Sequence, residues 1–173
     1  MNAPSESVYR QCRRAFIAAC EDAHLDSIAR LHPAKAGDGK PLFMDAVALG
    51  PRLSTRALLL IACDAQGSAM AVALLKPAIA PPPDARLVLV HALDPARFAG
   101  APADPGWSAA MLAVVAKEDM SRVRNLTVLA LGGAEAGALA ASAATALPTP
   151  VTLLSPAASL AQARAAIARF FGD

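Results

Sequence analysis

The sequence predicts an α/β fold: a mainly parallel, mixed sheet with helices on both faces and an antiparallel hairpin at its edge. Four short apolar runs, among them ALLLIAC and RLVLVHAL, lack the alternation of a strand that has one face in water. Segments with helical spacing separate these runs, which is typical of parallel strands joined by crossover helices. The 173 residues are few enough for one domain, residues 1–173, and enough to bury a core.

An amphipathic helix is predicted to begin near Ser7. Its inward positions recur every three or four residues and are Val8, Cys12, Ala15, Phe16, Ala19, Cys20 and Ala23. The arginines between them, Arg10, Arg13 and Arg14, are expected to face solvent. Two strands follow, LDSIARLHPA and LFMDAVALG, and the Asp38-Gly39 pair between them is a strong hairpin signal. Gly50-Pro51 then leads into the central strand ALLLIAC.

The rest of the chain alternates between helices and strands. The helix GSAMAVALLK ends at Pro77, RLVLVHAL is the second buried strand, and Asp94-Pro95 turns out of it into a loop. WSAAMLAVVAKEDM is a helix, NLTVLAL a third core strand, GGAEAGALAASAATAL a turn and helix, and PVTLLS a fourth core strand. Ser155-Pro156 is expected to cap and start a last helix. Its inward residues are Leu160, Ala163, Ile167, Phe170 and Phe171.

Charge and composition restrict the possible functions. A net charge of +2 is too small to indicate nucleic-acid binding, and the basic cluster YRQCRR is interpreted as a solvated helix face. Three cysteines without a CxxC pair indicate free thiols in a reducing compartment. The apolar window Leu126–Leu147 is rich in alanine and contains Glu135, so it suits a strand and helix better than a membrane span. With no signal-peptide pattern at its start, the sequence predicts a cytoplasmic protein that binds neither nucleic acid nor membrane.

Two turns that each follow a strand and open a helix carry residue types that bind ligands in other folds. In LALGGAEAG, the N–H groups of Gly132 and Gly133 could hold a phosphate, although the segment is neither G-x-G-x-x-G nor a P-loop. Gly67-Ser68 is similar to a nucleophile elbow, but the G-x-S-x-G pattern is absent and no histidine follows His91. Close helix–strand packing explains the glycines more simply, and Ser68 is better interpreted as a helix N-cap.

Cys63, Asp64 and His91 end two apolar runs, so three zinc-ligating residue types could meet at neighbouring strand ends. No histidine lies in H-x-x-x-H or H-x-x-E, however, and a solitary buried histidine is more often a hydrogen-bonded core residue. Asp94 could perturb the pKa of His91, but capping the turn before Pro95 is the simpler role. A buried, inert Cys63 is favoured over a reactive thiol. The sequence therefore predicts no metal and no cofactor.

The order of these segments resembles a bacterial branch of the zinc-carboxypeptidase-like metallohydrolases, which are related to the M14-type carboxypeptidases. The segments that carry it are YRQCRRAFIAACEDA, DGKPLFMDAVALGP, ALLLIAC, GSAMAVALL, LVLVHALDPARFA, and WSAAMLAVV before LTVLAL. The match covers about Val8 to Gly137 and is strongest in HALDPARFA. The resemblance implies a carboxypeptidase-like fold with a catalytic zinc, held by His-x-x-Glu after the first core strand and by a later histidine, and a general-base glutamate.

This chain departs from that pattern at every catalytic position. CDAQGS replaces the His-x-x-Glu, Gly132 stands at the later histidine, and Leu154 or Ser155 stands near the general base. Asp94-Pro95 replaces an Asn-Pro turn, and the short GAPADPGW replaces an arginine-rich substrate-binding segment. Metal-assisted hydrolysis needs the Lewis acid, the activated water and the base together. The sequence therefore favours a non-catalytic carboxypeptidase-like domain, a pseudoenzyme with a binding or assembly role.

Two other functions stay open. One is a peptidase-like or amidohydrolase-like enzyme with a site rebuilt from Cys63, Asp64, His91 and Asp94. The other is a small-molecule binder that uses the glycine turn and the cleft at the strand ends.

Association with a protein partner or a second copy is also predicted. Alanine-rich helices offer flat packing surfaces, and a two-fold dimer is the common way to bury them. Its interface would use the last helix, through Ile167, Phe170 and Phe171, or the Trp107 loop, because aromatic residues are enriched at interface centres. The alternative is that these aromatic residues close the core of one chain.

Overall fold

The computed structural model describes residues 4–25, 27–36, 38–77, 79–101, 122–145, 147 and 150–172. Its elements in chain order are α1 (Pro4–Asp22), β1 (Ser27–Lys35), β2 (Pro41–Leu49), β3 (Arg56–Ala62), α2 (Ala65–Leu74), β4 (Ala85–His91), α3 (Pro95–Phe98), β5 (Asn125–Leu131), α4 (Ala134–Ala144), β6 (Val151–Leu153) and α5 (Leu160–Gly172). The predicted helix WSAAMLAVVAKEDM and the Trp107 loop lie outside the described residues. No helix in the described ranges is both long enough and apolar enough to cross a membrane.

The strands form a six-stranded mixed sheet in the order β1-β2-β4-β3-β5-β6. The central strand β3 is parallel to both of its neighbours, β4 and β5, and β6 is parallel to β5. At the other side, β2 is antiparallel to both β1 and β4. The β1–β2 hairpin turns through Gly39, whose φ of +79° is readily adopted only by glycine. The predicted sheet with an antiparallel edge is therefore confirmed.

Helices cover both faces of this sheet because its central strands are apolar on both sides. Along β3, Leu58 and Leu60 face α1, α2 and α5, while Leu59 and Ile61 face α4. All four side chains are fully buried. We call these two sides the α2 face and the α4 face. The two-sided arrangement was predicted from the uninterrupted apolar runs and is confirmed.

The inward face of α1 differs from the predicted one. Tyr9 is buried, whereas the Val8 side chain is 42% exposed. The Tyr9 hydroxyl donates to the carbonyl oxygen of Phe43 at 2.8 Å and accepts from its N–H at 2.7 Å, so it satisfies a backbone position of β2. The expectation that Arg13 faces solvent was wrong, because its guanidinium binds the buried carboxylate of Asp45.

Two predictions for the carboxyl-terminal part also need correction, whereas Asp94-Pro95 turns out of β4 as predicted and opens the short helix α3. The strand β6 lies at the sheet edge and is not a core strand, since Leu153 is 49% exposed. Ser155-Pro156 does not start the last helix, which begins at Leu160. Within that helix the predicted inward face is correct: two residues are buried and three partly buried ones pack on the α2 face, namely Ala163, Ile167, Leu160, Phe170 and Phe171.

Candidate functional site

A cleft of about 350 Å³ opens at the carboxyl ends of β3, β4 and β5, and we call it the strand-end cleft. Its lining comes from α1, the turn after β3, the start of α2, α3 and α4, and consists of Val8, Cys63, Asp64, Ala65, Arg97, Phe98, Glu135, Ala136 and Leu139. In open α/β sheets, ligands bind outside the carboxyl ends of the strands. Two of the sequence-predicted residues, Cys63 and Asp64, therefore lie where a site would be expected.

The Asp64 carboxylate connects two strand-to-helix turns. Its Oδ1 accepts the Gly67 N–H at 2.7 Å, which makes Asp64 the N-cap of α2. Its Oδ2 accepts the Gly133 N–H at 3.0 Å, in the turn between β5 and α4. Gly132, with a φ of +126°, leaves room for this carboxylate, since a Cβ there would lie 2.5 Å from Oδ1. Asp64 is thus the cap that had been predicted at Ser68.

The glycines in the turns before α2 and α4 are needed for close contacts within the protein. The N–H groups of Gly67 and Gly133 both donate to the chain's own carboxylate, so Gly133, one of the two glycines considered for phosphate binding, already has an acceptor. A Cβ at Gly67 would collide with the carbonyl oxygen of Leu131, and one at Gly137 would lie 2.5 Å from Pro156 Cγ. Close packing of helix against strand was the simpler explanation of Gly132, Gly133 and Gly137; the structure instead places the Asp64 carboxylate beside Gly132 and Gly133, and Pro156 beside Gly137.

Ser68 and His91 form a hydrogen-bonded pair inside the α2 face. Ser68 Oγ lies 2.9 Å from His91 Nε2, and the two residues are 1% and 0% exposed. The Phe16 ring stacks on the imidazole with 4.8 Å between ring centroids. The His91 pKa is lowered from 6.5 to about 4, mainly by burial; the negative charge of Asp45 opposes this shift, and the positive charge of Arg13 adds a smaller lowering effect. His91 is therefore a neutral core residue, as its solitary position in the sequence indicated.

The rebuilt Cys63–His91 site does not form, because the two side chains belong to opposite faces of the sheet. Cys63 packs against the core of the α4 face, whereas His91 stacks on Phe16 on the α2 face. Burial raises the Cys63 pKa to about 12, with Asp64 and Asp94 adding to the shift and Arg97 opposing it. The thiol stays protonated at neutral pH, and a protonated thiol is a poor nucleophile and metal ligand.

Asp94 also has a capping role. Its Oδ1 accepts the Arg97 N–H at 3.0 Å and so caps α3, while the residue as a whole is buried. This position holds the Arg97 side chain over the strand-end cleft, where it pairs with Glu135 of α4. The turn-capping interpretation of Asp94 is confirmed.

A buried ion cluster next to His91 was not predicted from the sequence. Asp45 lies opposite His91 in the β2–β4 ladder and has a fully buried side chain. Arg13 binds it in a fork, with Nε 2.6 Å from Oδ2 and Nη2 3.0 Å from Oδ1, and Arg30 Nε adds a third bond at 3.0 Å. An aspartate in the middle of the apolar strand LFMDAVALG was the available signal, since a buried carboxylate requires a cationic partner.

The side chains of this region do not fit the zinc that the family resemblance implies. Among the described residues, no three His, Cys, Asp or Glu side chains converge where a metal ion could be held. At the strand-end cleft, both Asp64 oxygens accept backbone N–H groups, and Cys63 and His91 lie on opposite faces of the sheet. Zinc is bound by thiolate, neutral imidazole or carboxylate groups that are directed at the metal.

Comparison with other proteins places the chain in a family without an assigned function. Residues 6–101 match the family described as "Protein of unknown function (DUF2817)", and no curated protein matches the chain. Similar solved structures are the esterase LipW from Mycobacterium marinum (15% identity, TM-score 0.42, 88% of this chain and 50% of that one), the glutaminyl cyclase from Fimbriiglobus ruber (11%, 0.45, 76% and 63%) and the LapA aminopeptidase from Legionella pneumophila (9%, 0.38, 71% and 35%). The chain thus spans between 35% and 63% of the length of these proteins.

Proposed function

The chain belongs to the DUF2817 family, and we propose that it is a carboxypeptidase-like binding domain whose strand-end cleft holds a ligand without hydrolysing it. The carboxypeptidase part of the proposal rests on the resemblance of the segment order from Val8 to Gly137. One observation carries the non-catalytic part. The only described carboxylate at the end of the central strand, Asp64, is bound by two backbone N–H groups at 2.7 and 3.0 Å.

A hydrolytic cleft needs a group that is directed at substrate or water, either as a base or as a nucleophile. Here the charged side chains of the described lining already have partners within the protein. Asp64 joins the turns before α2 and α4, and Arg97 pairs with Glu135 between α3 and α4. The Cys63 thiol is kept from ionising by burial. These arrangements hold the walls of a cleft in place, which supports binding over bond cleavage.

The shape and lining of the cleft also support a binding role. Its volume of about 350 Å³ lies within the range of about 300–1,000 Å³ that is typical of small-molecule sites. The wall combines apolar side chains, including Val8, Phe98 and Leu139, with few polar groups, as such sites usually do.

A second candidate function is hydrolysis through Ser68 and His91, and the 2.9 Å contact between them favours it. A serine with a neutral imidazole within hydrogen-bond distance is the core of a nucleophile–base pair. Its weakness is access, because Ser68 is 1% exposed and Phe16 lies over the imidazole. It therefore ranks second.

One experiment separates the two functions. The purified protein is incubated with equimolar zinc, dialysed against metal-free buffer, and assayed for bound zinc and for hydrolysis of p-nitrophenyl acetate and a dipeptide amide. We expect well under one zinc per chain, and hydrolysis no faster than with Ser68→Ala. Ser54→Ala is the matched control, since Ser54 is another buried serine, bound to the Pro51 carbonyl. Stoichiometric zinc with turnover, or turnover that only Ser68→Ala abolishes, would overturn the proposal.

A further inference from the structure

We infer that the strand-end cleft selects a small ligand in which an apolar body carries a protonated amine. This inference rests on the proposed binding function and adds the chemical class of the ligand. It follows from the apolar walls, from the balance of charges on the lining and from the partners that those charges already have.

The apolar body is required by the walls. Val8 on α1, Phe98 on α3 and Leu139 on α4 approach the cleft from three helices. Val8 is 42% exposed, so apolar surface of α1 is open to a ligand at this cleft. A ligand that covers such surface gains free energy in proportion to the apolar area removed from water. Strongly hydrated ligands without an apolar part would gain nothing from these walls.

The charged group follows from the count of ionised side chains. Among the described lining residues, the carboxylates of Asp64 and Glu135 face a single guanidinium, Arg97, which leaves one net negative charge. An anionic ligand would have to displace Glu135 from Arg97 and approach Asp64. An ammonium group can instead bind the Glu135 carboxylate while its pairing with Arg97 stays in place, because a carboxylate accepts several hydrogen bonds.

The local field at the Cys63 thiol agrees in sign with this count. After burial, the negative charge of Asp64 is the largest influence that raises the Cys63 pKa, and Asp94 acts in the same direction. Arg97 opposes them with a smaller effect than Asp64. The charges around Cys63 therefore disfavour a further negative charge in this part of the cleft.

Glu135 provides a clean way to alter the charge. Its side chain is 81% exposed and sits in the first turn of α4, so its replacement removes a charge without opening the core. Asp84 is the matched control, because it is also an exposed carboxylate paired with an arginine, Arg56, and it does not line the cleft.

The test compares three probes of similar size that differ in their head group: 2-phenylethylamine, 2-phenylethanol and phenylacetate. Each is titrated into the wild-type protein at pH 7 and low salt, and binding is followed by calorimetry and by shifts of backbone amide signals of the cleft residues. An ion pair with an exposed carboxylate is worth up to about fivefold in affinity, so we expect the amine to bind about fivefold more tightly than the other two. Glu135→Gln should remove most of this preference, whereas Asp84→Asn should retain it. In 1 M salt the preference should shrink.

The possible results distinguish the ligand class from the binding function itself. If phenylacetate binds most tightly and Arg97→Gln abolishes its binding, the amine inference is wrong and the cleft still binds ligands. Equal affinity for the three probes would show that the cleft does not select ligands by charge, and the amine inference would then be wrong. If none of the probes shifts the cleft signals at millimolar concentration, the binding function proposed for the cleft fails as well.

Discussion

The role of Asp64 as an anchor predicts a defined loss of stability in Asp64→Ala. Its two carboxylate oxygens each accept one backbone N–H, from Gly67 at 2.7 Å and Gly133 at 3.0 Å. Loss of a helix N-cap costs about 1 kcal/mol. A half-buried N–H left without its partner costs about 1–2 kcal/mol more, since water replaces part of that bond at Gly133. Together these give a decrease of about 2–3 kcal/mol in the free energy of unfolding.

Urea unfolding followed by circular dichroism measures this change through the midpoint and its slope. Asp64→Asn should lose about half as much, because the amide keeps one acceptor and turns a donor toward the second N–H. Asp84→Ala is the control. It removes an exposed partner of Arg56, and surface ion pairs contribute at most about 1 kcal/mol.

The opposite result would be informative. If Asp64→Ala matched the wild type within about 0.5 kcal/mol, the carboxylate would not hold the two turns together. An increase in stability would refute the reasoning more strongly, since residues kept for function are often those whose removal stabilises a fold. Asp64 would then be a candidate for chemistry at the strand-end cleft.

Three further predictions follow from other parts of the molecule. Below pH 6.5 the unfolded chain binds a proton at His91 that the native protein does not bind. The free energy of unfolding should therefore fall by up to about 3 kcal/mol as the pH decreases from about 6.5 to about 4. His91→Gln should remove this decrease from a plot of the urea midpoint against pH. Gly132→Ala should cost more than about 2 kcal/mol in the same unfolding assay, because it combines a φ of +126° with a Cβ placed 2.5 Å from Asp64 Oδ1. If α5 forms a dimer interface, sedimentation equilibrium at micromolar concentration should give twice 17.6 kDa for the wild type and 17.6 kDa for Phe171→Glu.

Each of these has a matched control. His24→Asn replaces an exposed histidine at a φ of 54°, which asparagine tolerates, and should leave the pH profile unchanged; an unchanged profile for His91→Gln would contradict the assignment. Gly39→Ala is the control for Gly132→Ala, because Gly39 has a φ of +79° but no atom near the position of a Cβ, so this change should lower the free energy of unfolding by only about 1–2 kcal/mol. If both variants lost the same stability, the contact of the Gly132 Cβ with Asp64 would contribute nothing. Leu53→Glu alters an exposed leucine and should preserve the dimer. A wild-type mass of 17.6 kDa would end the dimer prediction.

Elements that depend on local patterns were predictable from the sequence. The apolar runs ALLLIAC, RLVLVHAL and NLTVLAL form β3, β4 and β5, because runs without polar alternation are stable as strands only when both faces are covered. Asp38-Gly39 marks the hairpin for an equally local reason, the positive φ at Gly39. Cys63 and Asp64 directly follow β3 and line the strand-end cleft, as their positions in the sequence indicated.

Contacts between distant segments were not predictable. Whether Arg13 faces solvent or core depends on Asp45, which lies 32 residues away in sequence and offers it a buried carboxylate. The second bond of the Asp64 carboxylate comes from Gly133, in a turn 69 residues further on, so the link between the two turns could not be predicted from either segment. Helical spacing and cap preferences describe one segment at a time, so they cannot register such partners.

The candidate site shows the same division. The sequence by itself determined that Cys63 and His91 stand at the ends of two strands. Only the tertiary structure decided that they do not meet, because the register pairs Ala62 with His91 and leaves Cys63 one residue beyond. Successive side chains of a strand point to opposite faces, so that single residue sends the thiol to the α4 face and the imidazole to the α2 face. Register is fixed by the packing of the whole sheet, and no local pattern in either strand contains it.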